Sequence, residues 1–190
     1  IAASIRRAVG APRPGAEPLP IRVRMFDDLC SVSIDSSGPA LHRRGHRLET
    51  AKAPLREDLA HALVLAAGSD LAAGLLDPCC GSGSIPIAAA TIARKIPPGG
   101  GRRFAFEGLA GFDRAAWDAI RASAAAGVLP AATARVFGSD RDAGAVAIAQ
   151  RNAARAGVGG GVDWAVAPLS SAPGFAAAVG CVVTNPPFGK

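Results

Sequence analysis

From residue 74 onward, short apolar runs alternate with helix-like segments, and three of these runs stop on an acid or an amide. "GLLD" ends on Asp77, "ARVFGSD" on Asp140 and "CVVTN" on Asn185, while "VDWAV" is a further apolar run between the last two. Between them, Ser84 to Ile96 has the pattern of a helix stopped by "PPGGG", "RAAWDAIRASAAAG" reads as a second helix and "DAGAVAIAQRNAARAGV" as an amphipathic third. "RRFAFEGLAGFD" fits neither period and reads as an irregular insertion. Strands that alternate with helices form a mostly parallel sheet through right-handed crossovers, with helices expected on both faces. Such α/β sheets bind ligands beyond the carboxyl ends of their strands. Asp77, Asp140 and Asn185 are therefore expected along one edge.

The upstream third is different. Residues 11–20, "APRPGAEPLP", form a Pro-rich linker expected to be extended. "IRVRMFDDLCSVSIDSSG" alternates apolar and polar residues and reads as one or two strands ending in a Ser-Ser-Gly turn. "LHRRGHRLET" is a basic segment kinked at Gly45, and "APLREDLAHALVLAAG" predicts a helix starting near Pro54. The expected division is a linker and β segment over residues 1–53, then a sheet-bearing part over 54–190.

At 190 residues, nearly half of them apolar, the chain can bury a sizeable core, yet no apolar run reaches membrane-spanning length. The first residues lack a signal-peptide pattern and an initiator methionine. Four cysteines without C-x-x-C spacing read as intracellular thiols, and the expected location is the cytoplasm. The net charge of +6 suits an anionic partner, but it is spread evenly: ten Lys/Arg against seven Asp/Glu in residues 1–60, eleven against eight thereafter. A solvated basic surface accounts for it as well as a binding face does.

The chemistry concentrates in "GLLDPCCGSGSIPIAAA". Gly81 and Gly83 permit a tight turn and close approach of a ligand, and the helix that follows presents free N–H groups. A dinucleotide loop would need a third glycine where Pro86 stands, and an acid about 20 residues on. Asp140 instead lies 57 positions beyond Gly83. No Lys-Ser/Thr pair completes a Walker loop. An acid ahead of the glycines suits a ligand bearing an amine. With Asp77 near an ammonium group and Asp140 accepting from ribose hydroxyls, the ligand described is S-adenosylmethionine. The plain alternative for Asp77 is an acid that caps the following turn. Cys79 and Cys80 are too few and too close for a zinc site, so no metal is expected, and they read as small side chains lining the turn.

The terminal "CVVTNPPFGK" supplies the second half. The lone pair of a nucleobase amine is delocalised into the ring, so an enzyme must orient the NH2 and stabilise charge developing on it. The Asn185 side-chain carbonyl and the Pro186 backbone carbonyl can each accept an N–H, with Pro187 stiffening the turn. Phe188 offers a face for stacking, worth about 1–3 kcal/mol in comparable sites. The alternative is a Pro-Pro turn that closes a strand and a core phenylalanine.

These segments resemble a known family. "LLDPCCGSGSIPIAAA", "SDRDAGAVAIAQRNAARAGV" and "VVTNPPFGK" look like motifs I, II and IV of class I S-adenosylmethionine-dependent methyltransferases. "VSIDSSGPALHRRGHRLETAKAPLREDLAHALVLAAG" is similar to the segment that joins an RNA-binding THUMP domain to its methyltransferase domain, and "GGGRRFAFEGLAGFDRAAWDAI" to that family's insertion. The chain thus resembles the THUMP-associated RNA guanine-N2 methyltransferases (UPF0020-like) over roughly residues 20–190. The resemblance implies a Rossmann-like α/β sheet, S-adenosylmethionine as cofactor and ribosomal or transfer RNA as partner, with the target base flipped out where it is paired. It implies that Asp77, Cys79, Gly81, Gly83 and Ser84 line the methionine end of the cofactor, and that Asp140 and Arg141 lie at its ribose. Pro54 and Leu55, in "PLRE", would approach from the other side, and Asn185, Pro186, Pro187 and Phe188 would hold and stack the acceptor base.

Two departures qualify the match. Pro168 stands about where many methyltransferases place an Asp against the adenine amino group, so contact there would come from backbone atoms. The sequence also stops after the fourth expected strand, where the family's sheet adds three more, and the expectation is a piece of a longer protein. Guanine-N2 methylation of RNA is the leading expectation. Adenine-N6 methylation of DNA or RNA, and an incomplete module that binds cofactor or RNA without turnover, are the alternatives. Oligomeric state is not legible.

Overall fold

The computed structural model describes residues 3–4, 7, 19–49, 55–68, 71–177 and 179–187. Its regular elements, in chain order, are β1 (Ile21–Phe26), β2 (Leu29–Ile34), α1 (Glu57–Ala66), β3 (Leu75–Asp77), α2 (Ser84–Ala93), α3 (Arg114–Ala126), β4 (Val136–Asp140), α4 (Ala143–Arg155), β5 (Asp163–Val166) and β6 (Cys181–Val182). They fall into two compact units, one of residues up to Leu41 with Gly101–Ser123, the other of His42–Gly100 with Ala124–Lys190. Most of the expected linker, residues 11–18, lies outside the described residues.

In the first unit β1 and β2 form an antiparallel hairpin with Phe26 paired to Leu29. The two residues between them, Asp27 and Asp28, have φ of +46° and +59°. That is the two-residue turn whose twist matches paired strands, with aspartates where Asn-Gly is usual. The turn of the hairpin is thus at Asp27-Asp28, within the stretch expected to hold one or two strands ending at Ser-Ser-Gly. The insertion is irregular, as expected, and an aromatic cluster organises it. Phe104 and Phe106 stack at 5.2 Å, and Trp117 of α3 meets both edge-on. The Phe104 N–H donates to Glu107 Oε1 at 2.8 Å, and Arg114 pairs with the same carboxylate.

The second unit is built on a parallel four-stranded sheet of order β5-β4-β3-β6. The chain runs outward from β3 through β4 to β5, then returns to the other side of β3. The crevice between β3 and β6 is thus the switch point, where open α/β sheets place ligands. Every residue of β3 is buried, as a central strand requires. Helix α2 packs beneath it with eight residues buried, so it reads as apolar nearly all round rather than striped.

Leu75 points into a core shared with Ala60, Ile85, Ile87, Val136, Ala153 and Val158, from α1, α2, β4, α4 and the turn after it. Leu76 points the other way, to Phe137 and Ala172, with Ala177 and Val179 beside them. Within this unit, therefore, the long helices cover one face and short 3-10 turns cover the other, where helices were expected on both.

Helix α2 stops at Ala93 rather than Ile96. Lys95 adopts φ +56°, and Ile96 N–H bonds back to Thr91 O at 2.9 Å. Pro97 disfavours helical backbone at the residue before it, so the helix closes there with a lysine in the left-handed position usually held by glycine.

Candidate functional site

The carboxyl ends of β3, β4 and β6 meet around the loop 78–83. Asp77, the last residue of β3, is only 2% exposed. Its Oδ1 accepts from the Cys79 N–H at 3.2 Å and from the Thr184 hydroxyl at 2.7 Å. The first contact is the turn cap that the sequence allowed as an alternative; the second ties the strand-end acid to the segment leading into Asn185. Burial pushes the Asp77 carboxyl up to about 6, and Asp140 pushes the same way, while the Thr184 and Cys79 hydrogen bonds pull against them.

Asp140 holds the loop from the next strand. Its Oδ2 accepts from Gly81 N–H at 2.9 Å and its Oδ1 from Asp142 N–H at 3.0 Å. Cys80 N–H donates to Ser139 O at 2.9 Å, which anchors the loop a second time. Among the described residues each Asp140 oxygen takes a single backbone donor, which leaves each a lone pair for ligand hydroxyls. Arg141, beside it, is exposed.

The two glycines do different work. Gly81 has φ +51°, and a Cβ built on it would meet nothing within 4 Å. Gly83, at φ +87°, caps the start of α2, and a Cβ there would fall 2.9 Å from Ala149 Cβ and 3.0 Å from the Trp164 ring. Gly81 is the open cradle. Gly83 lets α2, α4 and Trp164 of β5 close on one another. Cys79 is half-buried and Cys80 buried, and burial pushes both thiols up, so neither is set up as a nucleophile.

Sequence reasoning missed a support behind the loop. Asn152, fully buried in α4, donates through Nδ2 to Ser82 O and to Glu49 O, both at 3.1 Å, and accepts from Arg155 at 2.7 Å. Glu49 also pairs with Arg151 and Arg155, whose hydrogen bonds hold its carboxyl far below the usual range. The basic segment 42–49 is thereby laid along α4, next to the glycine loop. An available signal was the amide in helical phase with Ala145, Ala149 and Ala153, the buried stripe of an otherwise apolar face. Glu57, also buried, adds to this wall: it accepts from Arg44 N–H at 2.6 Å and faces Arg47 at 3.7 Å.

Leu55 joins the site through its backbone. Its carbonyl accepts from the Ser84 hydroxyl at 3.2 Å and from Arg47. The structure therefore brings Leu55, Asp77, Cys79, Gly81, Gly83, Ser84, Asp140 and Arg141 to one neighbourhood, with Thr184 leading into Asn185. Asn185 is half-buried and Pro186 and Pro187 are exposed, beyond the paired part of β6, where Val183 N–H still reaches Leu76 O at 3.0 Å. Pro54 and Phe188 lie outside the described residues. A cavity of about 360 Å³ lined by Arg94, Arg135, Val136, Gly157 and Asp163 sits at the opposite edge of the sheet and contains none of the expected site residues.

An open glycine cradle flanked by two carboxylates with free acceptor sites fits a ligand rich in donors, such as the ammonium and ribose hydroxyls of S-adenosylmethionine. Among the described residues, no cluster of three His, Cys, Asp or Glu could hold a metal, and no helix is long and apolar enough to cross a membrane.

A profile of the RMKL-like methyltransferase domain (UPF0020) matches residues 44–190. The chain is 38% identical over 192 residues to ribosomal RNA large subunit methyltransferase K/L of Vibrio campbellii, covering 95% of this chain and 27% of that protein. Among solved structures, SMU.472, a candidate methyltransferase complexed with SAH, superposes with a TM-score of 0.81 at 30% identity, over 93% of this chain and 46% of that one. A structure described as a predicted N6-adenine-specific DNA methylase from Listeria monocytogenes gives 0.76 at 32% identity, over 90% and 44%. The chain thus spans about a quarter of the curated relative and a little under half of each solved neighbour.

Proposed function

The chain belongs to the RMKL-like methyltransferase domain family, and on that premise we propose that it is the cofactor-binding and acceptor-orienting part of an S-adenosylmethionine-dependent RNA methyltransferase acting on the exocyclic N2 of a guanine in ribosomal RNA. One observation carries this reading: the strand-end acid Asp77 is bonded to Thr184, the residue before Asn185, and the strand-end acid Asp140 to the N–H of Gly81 in the adjoining open glycine loop. The curated relative is named for ribosomal RNA, which supports that substrate over transfer RNA.

The residues divide the work. Asp77 places a negative charge beneath the loop, against which a ligand ammonium is held, directly or through one water. Asp140 accepts from ribose hydroxyls with the lone pairs its backbone partners leave free. When bound, S-adenosylmethionine supplies a methyl group already activated on a sulfonium. The protein then has to align and desolvate, which contributes up to about 7–11 kcal/mol in favourable cases. Asn185 Oδ1 and the Pro186 carbonyl accept the two amine N–H bonds, so positive charge developing on nitrogen meets fixed acceptors. The rigid Pro186-Pro187 turn keeps both from rotating away. The family resemblance gives Phe188 the task of stacking on the base.

The test is mass spectrometry of RNA nucleosides from cells with and without the full gene, together with Asn185→Ala in the full-length protein. The expected result is loss of N2-methylguanosine, with S-adenosylmethionine binding by the variant within about twofold of wild type. Normal turnover by Asn185→Ala would refute the assigned role. Adenine-N6 methylation is the second reading, favoured by the solved neighbour described as an N6-adenine DNA methylase. Product found only at adenine would establish it in place of the first. A wild-type protein without measurable affinity for S-adenosylmethionine in calorimetry would remove both.

A further inference from the structure

Thr184 lies between the cofactor side and the acceptor side of the proposed site, and the roles assigned above leave it without a task. It directly precedes Asn185 and follows Val183, the residue just past β6 whose N–H still bonds to Leu76 O of β3. Its Oγ1 donates to Asp77 Oδ1 at 2.7 Å, across 107 positions of sequence. The other hydrogen bond to this carboxylate, from Cys79 N–H, falls on the same oxygen. Among the described residues, Oδ2 has no hydrogen-bond partner.

The surroundings make that hydroxyl matter. Asp77 is almost wholly buried, and the groups that act on it are Thr184 from beyond β6, the Cys79 backbone from its own turn and the carboxylate of Asp140 from β4. The thiols of Cys79 and Cys80 also face it. No cation is in this set. A buried carboxylate without a cationic partner stays ionised only through the hydrogen bonds it receives, and of these the Thr184 bond is the shorter and the stronger.

We propose that Thr184 is a positioning residue, whose hydroxyl keeps Asp77 ionised and oriented through Oδ1 so that Oδ2 remains for the ammonium end of the cofactor. The inference rests on the reading of the site as an S-adenosylmethionine pocket. It explains why the threonine adjoins the acceptor asparagine: the strand that carries Asn185 also conditions the acid under the cofactor loop.

The charge on Asp77 is lost as pH falls through about 6. Ammonium affinity should fall with it. Without the hydroxyl, burial and Asp140 act with less opposition, and the loss moves toward neutral pH. The experiment is calorimetry of S-adenosylhomocysteine, which has the same amino-acid end, with the full-length protein from pH 5.5 to 8. Wild type, Thr184→Val and Thr184→Ser are compared. Thr184→Val is expected to lose affinity at a pH about one unit higher than wild type, a roughly fivefold deficit near pH 6 that widens to about eightfold at pH 5.5 and shrinks to within twofold at pH 8. Thr184→Ser should follow wild type.

Thr184→Val curves that overlie wild type, or that lie below it by the same factor at every pH, overturn the proposal while leaving the cofactor reading intact. Wild-type protein that fails to bind at any pH overturns the cofactor reading and this inference with it. Should the valine variant not fold, Thr184→Ala removes the hydroxyl without the branched methyl and is held to the same outcomes.

Discussion

Alanine at Gly81 and alanine at Gly83 should damage the protein in opposite ways, although the two glycines are two residues apart in one loop. At Gly83 the new methyl would lie 2.9 Å from Ala149 Cβ, 3.0 Å from Trp164 Cη2 and 3.2 Å from Ile87 Cδ1. Ile87 can turn its terminal methyl aside. Ala149 belongs to α4 and has no rotamer to change, and the Trp164 ring is wedged against Gly138, where a Cβ would come within 2.6 Å. Overpacking of this kind costs about 1–3 kcal/mol. A left-handed backbone adds about 1–2 kcal/mol for any residue with a Cβ. Gly83→Ala should therefore lose about 2–5 kcal/mol, a large share of the total stability of a domain this size. Gly81→Ala meets no atom within 4 Å at φ +51°, so only the backbone cost of about 1–2 kcal/mol remains. Its methyl instead projects from the open cradle and should weaken S-adenosylmethionine binding at least tenfold. Urea denaturation gives the first quantity and calorimetry the second. Equal destabilisation by the two substitutions, or a Gly83→Ala protein within about 1 kcal/mol of wild type, would refute the division of labour between them.

Two further outcomes follow from the same geometry. The Asp77 carboxyl is raised from 3.8 to about 6 in the folded protein. The native state therefore holds more proton than the unfolded chain between those values, and this group's contribution to stability declines as pH rises from about 4 through 6, by at most about 3 kcal/mol. Asp77→Asn should accordingly gain on wild type across that window and hold its gain above it, while losing cofactor affinity; a stability difference that is flat with pH in urea titrations would exclude the ionisation as its source. Asn152→Leu leaves Ser82 O and Glu49 O without their buried donor, at about 1–3 kcal/mol for each orphaned group. It should unfold at lower urea and speed amide exchange in the glycine loop, and unchanged exchange there would show that Asn152 does not brace the loop.

The sequence alone was enough for the parallel sheet and for the edge at which its strand-end acids emerge, though not for which face the helices cover. Short apolar runs between amphipathic or apolar helices leave a parallel sheet as the economical way to bury both. A polar residue that ends such a run must then emerge at the carboxyl edge, as Asp77 and Asp140 do and as Asn185 does just past β6. Those facts depend on local period and chain direction, which a linear string records. Tertiary structure decided the partners. Gly81 and Gly83 look alike in sequence, and only the approach of α4 and Trp164 separates a cradle from a packing contact. Asn152 and Ser82 are 70 positions apart, Thr184 and Asp77 107 apart. Periodicity shows that a residue faces inward without showing what it meets. A hydrogen bond across the sheet depends on strand order, and that order was settled when β6 returned to the far side of β3 and brought the Thr184 hydroxyl onto a buried carboxylate.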